Sequence, residues 1–176
     1  MIFKRKNTIT QKSLERGKDI FFKFGGSIFG MMQAGEYQEY KKLNIPKNQE
    51  EKWSNLLFDR TVEDFKLETD ICKKVFLIGR LIDFGRKETI VFSLITDFLN
   101  QGIDTFTTIL LCESLKRFLK YVKRDSIRIQ AEIVIKKKKN EMLKGRITVN
   151  EGYKRTAYMS TYDFSNEKLK VRINNL

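Results

Sequence analysis

The side chains of this chain that could act on a substrate are two thiols, a scatter of carboxylates and many amines; histidine is absent. Without an imidazole there is no histidine base, no histidine metal ligand, and no Ser-His-Asp or Cys-His arrangement. Cys72 and Cys112 lack the CxxC spacing of zinc and thiol-exchange sites, and both fall in apolar helical patterns that predict inert buried thiols. A disulfide between them fits their number but would not define a secreted scaffold. Glu50-Glu51, Glu63-Asp64, Asp83 and Asp97 are the acids that could hold magnesium. At least three would have to converge, and no spacing predicts that; exposed helical faces account for them more simply. The expectation is a protein without catalytic residues, metal or cofactor.

The amines are a different resource. The chain carries a net charge of +13, and the charge is uneven. Residues 1–24 have a net charge of +5, residues 25–114 of −3 and residues 115–176 of +11. The basic C-terminal third alternates cationic and apolar residues. The set singled out for binding a partner is Arg128, Lys136, Lys137, Lys138, Lys139, Lys144, Arg146, Lys154, Lys168, Lys170 and Arg172, with Tyr158 and Tyr162 among them.

The elements that would position this set follow from periodicity. After Arg124, Ile127, Ile129, Ala131, Ile133 and Ile135 recur at every second residue, which predicts a strand. Leu143 to Val149, Tyr153 to Tyr162 and Lys168 to Ile173 are expected as three more strands. The turns fall at Lys136–Asn140, at Asn150-Glu151-Gly152 and at Ser165-Asn166. An antiparallel four-stranded meander with one covered face would turn the cations outward together. At the other end, Ile20 to Phe24, Gly25-Gly26 and Ser27 to Met32 predict a β-hairpin around a two-glycine turn. The middle is helical: Glu36 to Lys42, a fresh start after Pro46 with Asn48 and Glu51 as a capping box, and another start at Thr61 with Asp64. Ile71, Val75, Ile78 and Ile82 continue the helical period to a stop at Gly85. Val91 to Phe98 follows, and Asp104 caps a last helix carrying Phe106 to Val122. The expected architecture is α+β in a single domain over residues 1–176. It has a basic N-terminal segment and hairpin to residue 34, a helical region to 124 and a basic meander to 176.

A basic face with rings among the charges suits an acidic macromolecule. The RNP1 pattern, the GXXG of a KH domain, a Cys/His finger and a glycine-marked helix-turn-helix are missing, so an acidic protein comes first and nucleic acid second. Small proteins of this kind serve as inhibitors or as immunity proteins for toxins, by analogy of class. Lys4-Arg5-Lys6 with the Phe-rich segment offers a weaker route to anionic lipid. Trp53, Tyr37 and Tyr40 are expected to lock a helix onto the core rather than to anchor a partner. Phe24 to Met32 followed by Ala34-Gly35 superficially resembles an export signal. Glu15 and Asp19 before it and Gly25-Gly26-Ser27 inside it argue against that, and a cytoplasmic location is expected. No apolar run is long enough for a membrane span.

Overall fold

The computed structural model describes residues 9–155 and 162–176. From Asp125 to Lys144 the chain forms one uninterrupted helix of 20 residues, which overturns the expected sheet at its first strand. The physical reason lies in composition. This stretch contains neither glycine nor proline, and Arg, Gln, Ala, Glu, Lys, Met and Leu are the strongest helix formers. The apolar alternation contains a helical period inside it. Ile127, Ala131 and Ile135 are four residues apart and buried, while Ile129 and Ile133 between them are exposed. Lys136 to Lys139, read as a turn, lacks any residue that would break the helix and simply continues it; Gly145 ends it, its N–H bonding the Glu141 carbonyl at 3.1 Å.

The described residues form ten helices and no strand. They are α1 Gln11–Lys23, α2 Ile28–Gln33, α3 Tyr37–Lys42, α4 Lys47–Leu67, α5 Ile71–Asp83, α6 Glu88–Leu99, α7 Thr105–Leu119, α8 Asp125–Lys144, α9 Glu151–Lys154 and α10 Asn166–Asn174. The remaining strands of the expected meander are likewise corrected. Leu143 to Val149 spans the end of α8 and an irregular segment. Tyr153 falls on α9, and 156–161 lies outside the described residues, as does Lys4-Arg5-Lys6. Lys168 to Ile173 is part of α10, where Leu169 and Ile173 are buried at helical spacing. The α+β class is therefore replaced by an all-helical one among the described residues.

The chain divides into two compact units, residues 1–60 and 61–176. In the first, the expected β-hairpin is a helical corner. Gly25 and Gly26 do adopt positive φ (56° and 75°), but they join α1 to α2. Thr10 caps α1 by accepting the Ser13 N–H at 3.1 Å, and Ser27 caps α2 by accepting that of Gly30 at 3.0 Å. A side chain at Gly26 would stand 2.9 Å from the Phe21 ring, so the close turn also needs glycine for space. Phe21 packs on Trp53 with ring centroids 5.6 Å apart, and Tyr40 donates to Glu50 at 2.7 Å. Trp53 and Tyr40 are buried, as packing residues would be; Tyr37 is half-buried. Helix α4 starts just after Pro46 as predicted, but Asn48 already lies within it and no second start occurs at Thr61.

The second unit is built around α7, which packs against α5, α6, α8 and α10. Its cap is the predicted one, Asp104 accepting the Thr107 N–H at 3.1 Å. The irregular segment after α8 completes that helix start. The Phe106 N–H bonds the Thr148 carbonyl (3.1 Å) and the Thr105 N–H bonds the Thr148 hydroxyl (3.0 Å). Two first-turn donors that have no partner inside the helix are thereby satisfied. The predicted helices over Ile71–Ile82 and Val91–Phe98 are present, with Gly85 at φ 60° just beyond the first. No helix among the described residues is long and apolar enough to cross a membrane.

Candidate functional site

Helix α8 has two unlike sides. Ile127, Ala131, Ile135 and Met142 are buried, and this stripe packs the helix against α6, α7 and α10. The opposite side combines aliphatic and cationic groups. Ile129, Ile133 and Leu143 are 57%, 60% and 49% exposed, and the exposed Lys136, Lys137, Asn140 and Lys144 lie between and beside them. At about 100° per residue, Lys137 and Lys144 point within about 20° of each other, and Lys136 lies about 80° round the same outer side from Lys144. Together with Ile133 and Asn140 they line an open groove along the helix. Lys136 and Lys144 form no ion pair among the described residues. Lys137 stands 4.0 Å from Glu141, an exposed contact of small energetic weight.

The other cations expected to share a face do not join this group. Arg128 is exposed but donates to the Val122 carbonyl at 2.9 Å, just beyond the end of α7. Lys138 is half-buried and pairs with Glu141 at 3.2 Å. Lys139 donates to the Asn174 carbonyl at 2.6 Å, and Lys116 of α7 to the Asn175 carbonyl at 2.7 Å. Two lysines thus satisfy carbonyls at the negative end of α10. Lys154 pairs with Glu151 at 2.6 Å. Arg146 is exposed in the segment after α8, beside an opening lined also by Asn100, Thr105 and Thr108. Lys168 and Lys170 are exposed on α10, but two helical steps rotate them roughly 200° apart. Tyr158 lies outside the described residues. The single flat cationic face required by a sheet is replaced by a short one on α8.

Arg172 and Tyr162 belong to the packing of the second unit. The guanidinium bonds Glu113 through two nitrogens, with Nε to Oε1 at 2.9 Å, and donates to the Tyr162 hydroxyl at 2.7 Å. It also lies 5.2 Å from the centre of the Phe106 ring and 5.6 Å from that of Tyr162. Burial acts to lower the Arg172 pKa; the bonds to Glu113 and Tyr162 outweigh it and raise the value, so the charge is permanent. Phe164, Tyr153 and Phe106 complete the aromatic cluster. A cation engaged by Glu113, the Tyr162 hydroxyl and the Phe106 ring is committed to the fold.

The thiols are quiet. Both are free; burial pushes Cys112 up to about 12 and also raises Cys72, the opposite of nucleophile activation. Among the described residues no three acids or cysteines come together as a metal site. Sequence reasoning missed the outward aliphatics of α8: the two-residue period places Ile129 and Ile133 on the covered face of a sheet and assigns Leu143 to neither face. The available signal was the i, i+4 spacing of Ile127, Ala131 and Ile135, which leaves Ile129 and Ile133 on another side. A second exposed apolar pair, Leu67 and Phe76, is rimmed by Asp64, Glu68 and Lys73 and has no cationic cluster. No family model, curated protein or solved structure matches the chain.

Proposed function

We propose that the protein is a non-catalytic binding protein that docks an acidic protein through the outer face of α8, in the manner of an inhibitor or immunity protein. One observation supports the reading above the rest: Ile129, Ile133 and Leu143 are exposed on the same face as Lys136, Lys137 and Lys144. Aliphatic side chains left in water beside exposed cations suit a protein partner, which supplies apolar surface and carboxylates together. A phosphate backbone would use the lysines and leave the aliphatics wet, and α8 carries no ring on which a base could stack.

The test compares capture by the wild-type chain and by K136E/K137E/K144E, with and without nuclease. The expected result is a defined acidic protein held by the wild type and lost from the variant. It should survive nuclease and rebind as a purified component. Retention of the same proteins by both chains, or binding carried entirely by nucleic acid, contradicts the reading.

A further inference from the structure

The outward residues of α8 are spaced as one strand of a coiled coil. Ile129, Ile133, Lys136, Asn140 and Leu143 follow one another at intervals of four, three, four and three residues, which is the repeat of a two-position heptad seam. Lys137 and Lys144 fall on one flank of that seam and Glu132 on the other, all exposed. The inner stripe of the same helix does not repeat in this way, because it is already matched to α6, α7 and α10. A helix covered on one side thus carries a second, unpartnered packing surface on the other, about 21 Å long from Ile129 to Leu143.

We infer that the occupant of this face is an acidic amphipathic helix of about two heptads, packed lengthwise on α8. The inference rests on the reading that α8 binds an acidic protein, and it specifies the partner's form. Ile129, Ile133 and Leu143 act as knobs between the partner's apolar side chains. Asn140, inside the seam, sets register by demanding a hydrogen-bonding side chain opposite it. Lys136 lies in the seam too; its four-carbon stem covers apolar surface while the ammonium reaches the partner's carboxylates. Lys137 and Lys144 call for glutamate or aspartate on one flank, and Glu132 calls for a base on the other. A second copy of this chain fits poorly, since each copy would bring Lys136, Lys137 and Lys144 to one short contact. Charge therefore selects a foreign helix over self-pairing.

The 176-residue chain is titrated with two synthetic peptides of about three heptads at near-physiological salt. One has leucine at the seam positions with one asparagine to face Asn140, glutamate on the flank that faces Lys137 and Lys144 and lysine on the flank that faces Glu132; the other has the same composition in scrambled order. The ordered peptide is expected to bind at least about tenfold more tightly than the scrambled one and to gain helicity on binding. I129A/I133A should lose at least about tenfold of that affinity with an unchanged thermal midpoint, because both positions are exposed and alanine favours the helix. Equal binding of the two peptides overturns the helix inference and leaves the acidic-protein reading standing, as does I129A/I133A binding like the wild type. If neither peptide binds, the helix inference fails. The capture experiment above then decides separately whether the face binds an acidic protein in another form.

Discussion

Replacing Arg172 with alanine separates the cations that hold the fold from those available to a partner. The substitution removes a two-pronged bond to Glu113, a bond to Tyr162 and the contact with the Phe106 face. Hydrogen bonds to charged groups contribute roughly 1.5–3 kcal/mol. Here the Glu113 side chain is 41% exposed and Arg172 24%, so solvent screening reduces the ion pair to about 1 kcal/mol. The Tyr162 bond adds about 1 kcal/mol and the ring contact about 0.5–1 kcal/mol. The expected loss is about 2–3 kcal/mol, a fall in thermal midpoint of roughly 5–10 °C for a chain of this size. Arg172→Lys keeps the charge and loses the planar fork, and should lose about half as much. The assay is urea unfolding followed by circular dichroism, with Glu113→Gln and the double variant closing a cycle whose coupling is about 1 kcal/mol. Arg172→Ala within about 0.5 kcal/mol of the wild type would refute the assignment of this arginine to the core of the second unit.

Lys116→Ala with Lys139→Ala should cost about 1 kcal/mol, less at high salt, because both lysines serve the carbonyl end of α10; K136A/K144A should fall within about 0.5 kcal/mol of the wild type by the same denaturation assay. Cys72, half-buried, should label with iodoacetamide in the native protein at mildly alkaline pH, while Cys112 labels only on unfolding, as read by peptide mass spectrometry. Cys112 also makes stability pH-dependent. Its pKa is about 12 when folded, against the usual value of about 9, so its contribution is complete below about pH 9 and is lost as pH rises toward 12. The unfolding free energy should fall from pH 9 to 10, with a slope approaching about 1.4 kcal/mol per pH unit, and Cys112→Ala should flatten that slope.

The sequence was most legible where glycine, proline and capping residues punctuate it. Pro46, Gly85 and Asp104 bound helices as predicted, because each residue type restricts backbone geometry locally. It was least legible in the basic third. Ile127 to Ile135 satisfies a two-residue period and a four-residue period at once, and the two differ only in the fate of Ile129 and Ile133. Helix propensity downstream decides between them: with no breaker before Gly145, the lysine run extends the helix instead of turning it. The same ambiguity governed Lys168 to Ile173, where Leu169 and Ile173 suffice for a helical stripe. At the N-terminal end Gly25 and Gly26 adopt positive φ, but a glycine pair of that kind serves a helical corner as well as a β-turn. The candidate site was legible in charge only. Lys136, Lys137 and Lys144 belong to the predicted set, whereas the two-residue period places Ile129 and Ile133 beside them in the interior. Arg128, Lys138, Lys139, Lys154 and Arg172 carry charge that the fold itself uses, which composition does not reveal.

Site-specific photo-cross-linking tests most directly whether the outer face of α8 is the docking surface. A benzophenone side chain is placed at Glu132, exposed on the flank of the outer face, and in a separate chain at Leu67, exposed but away from any cationic cluster. Illumination in lysate should give one protein adduct of defined mass from position 132, resistant to nuclease, and no such adduct from position 67. Equal adducts from both positions, an adduct of nucleic acid alone, or none from position 132 would contradict the account.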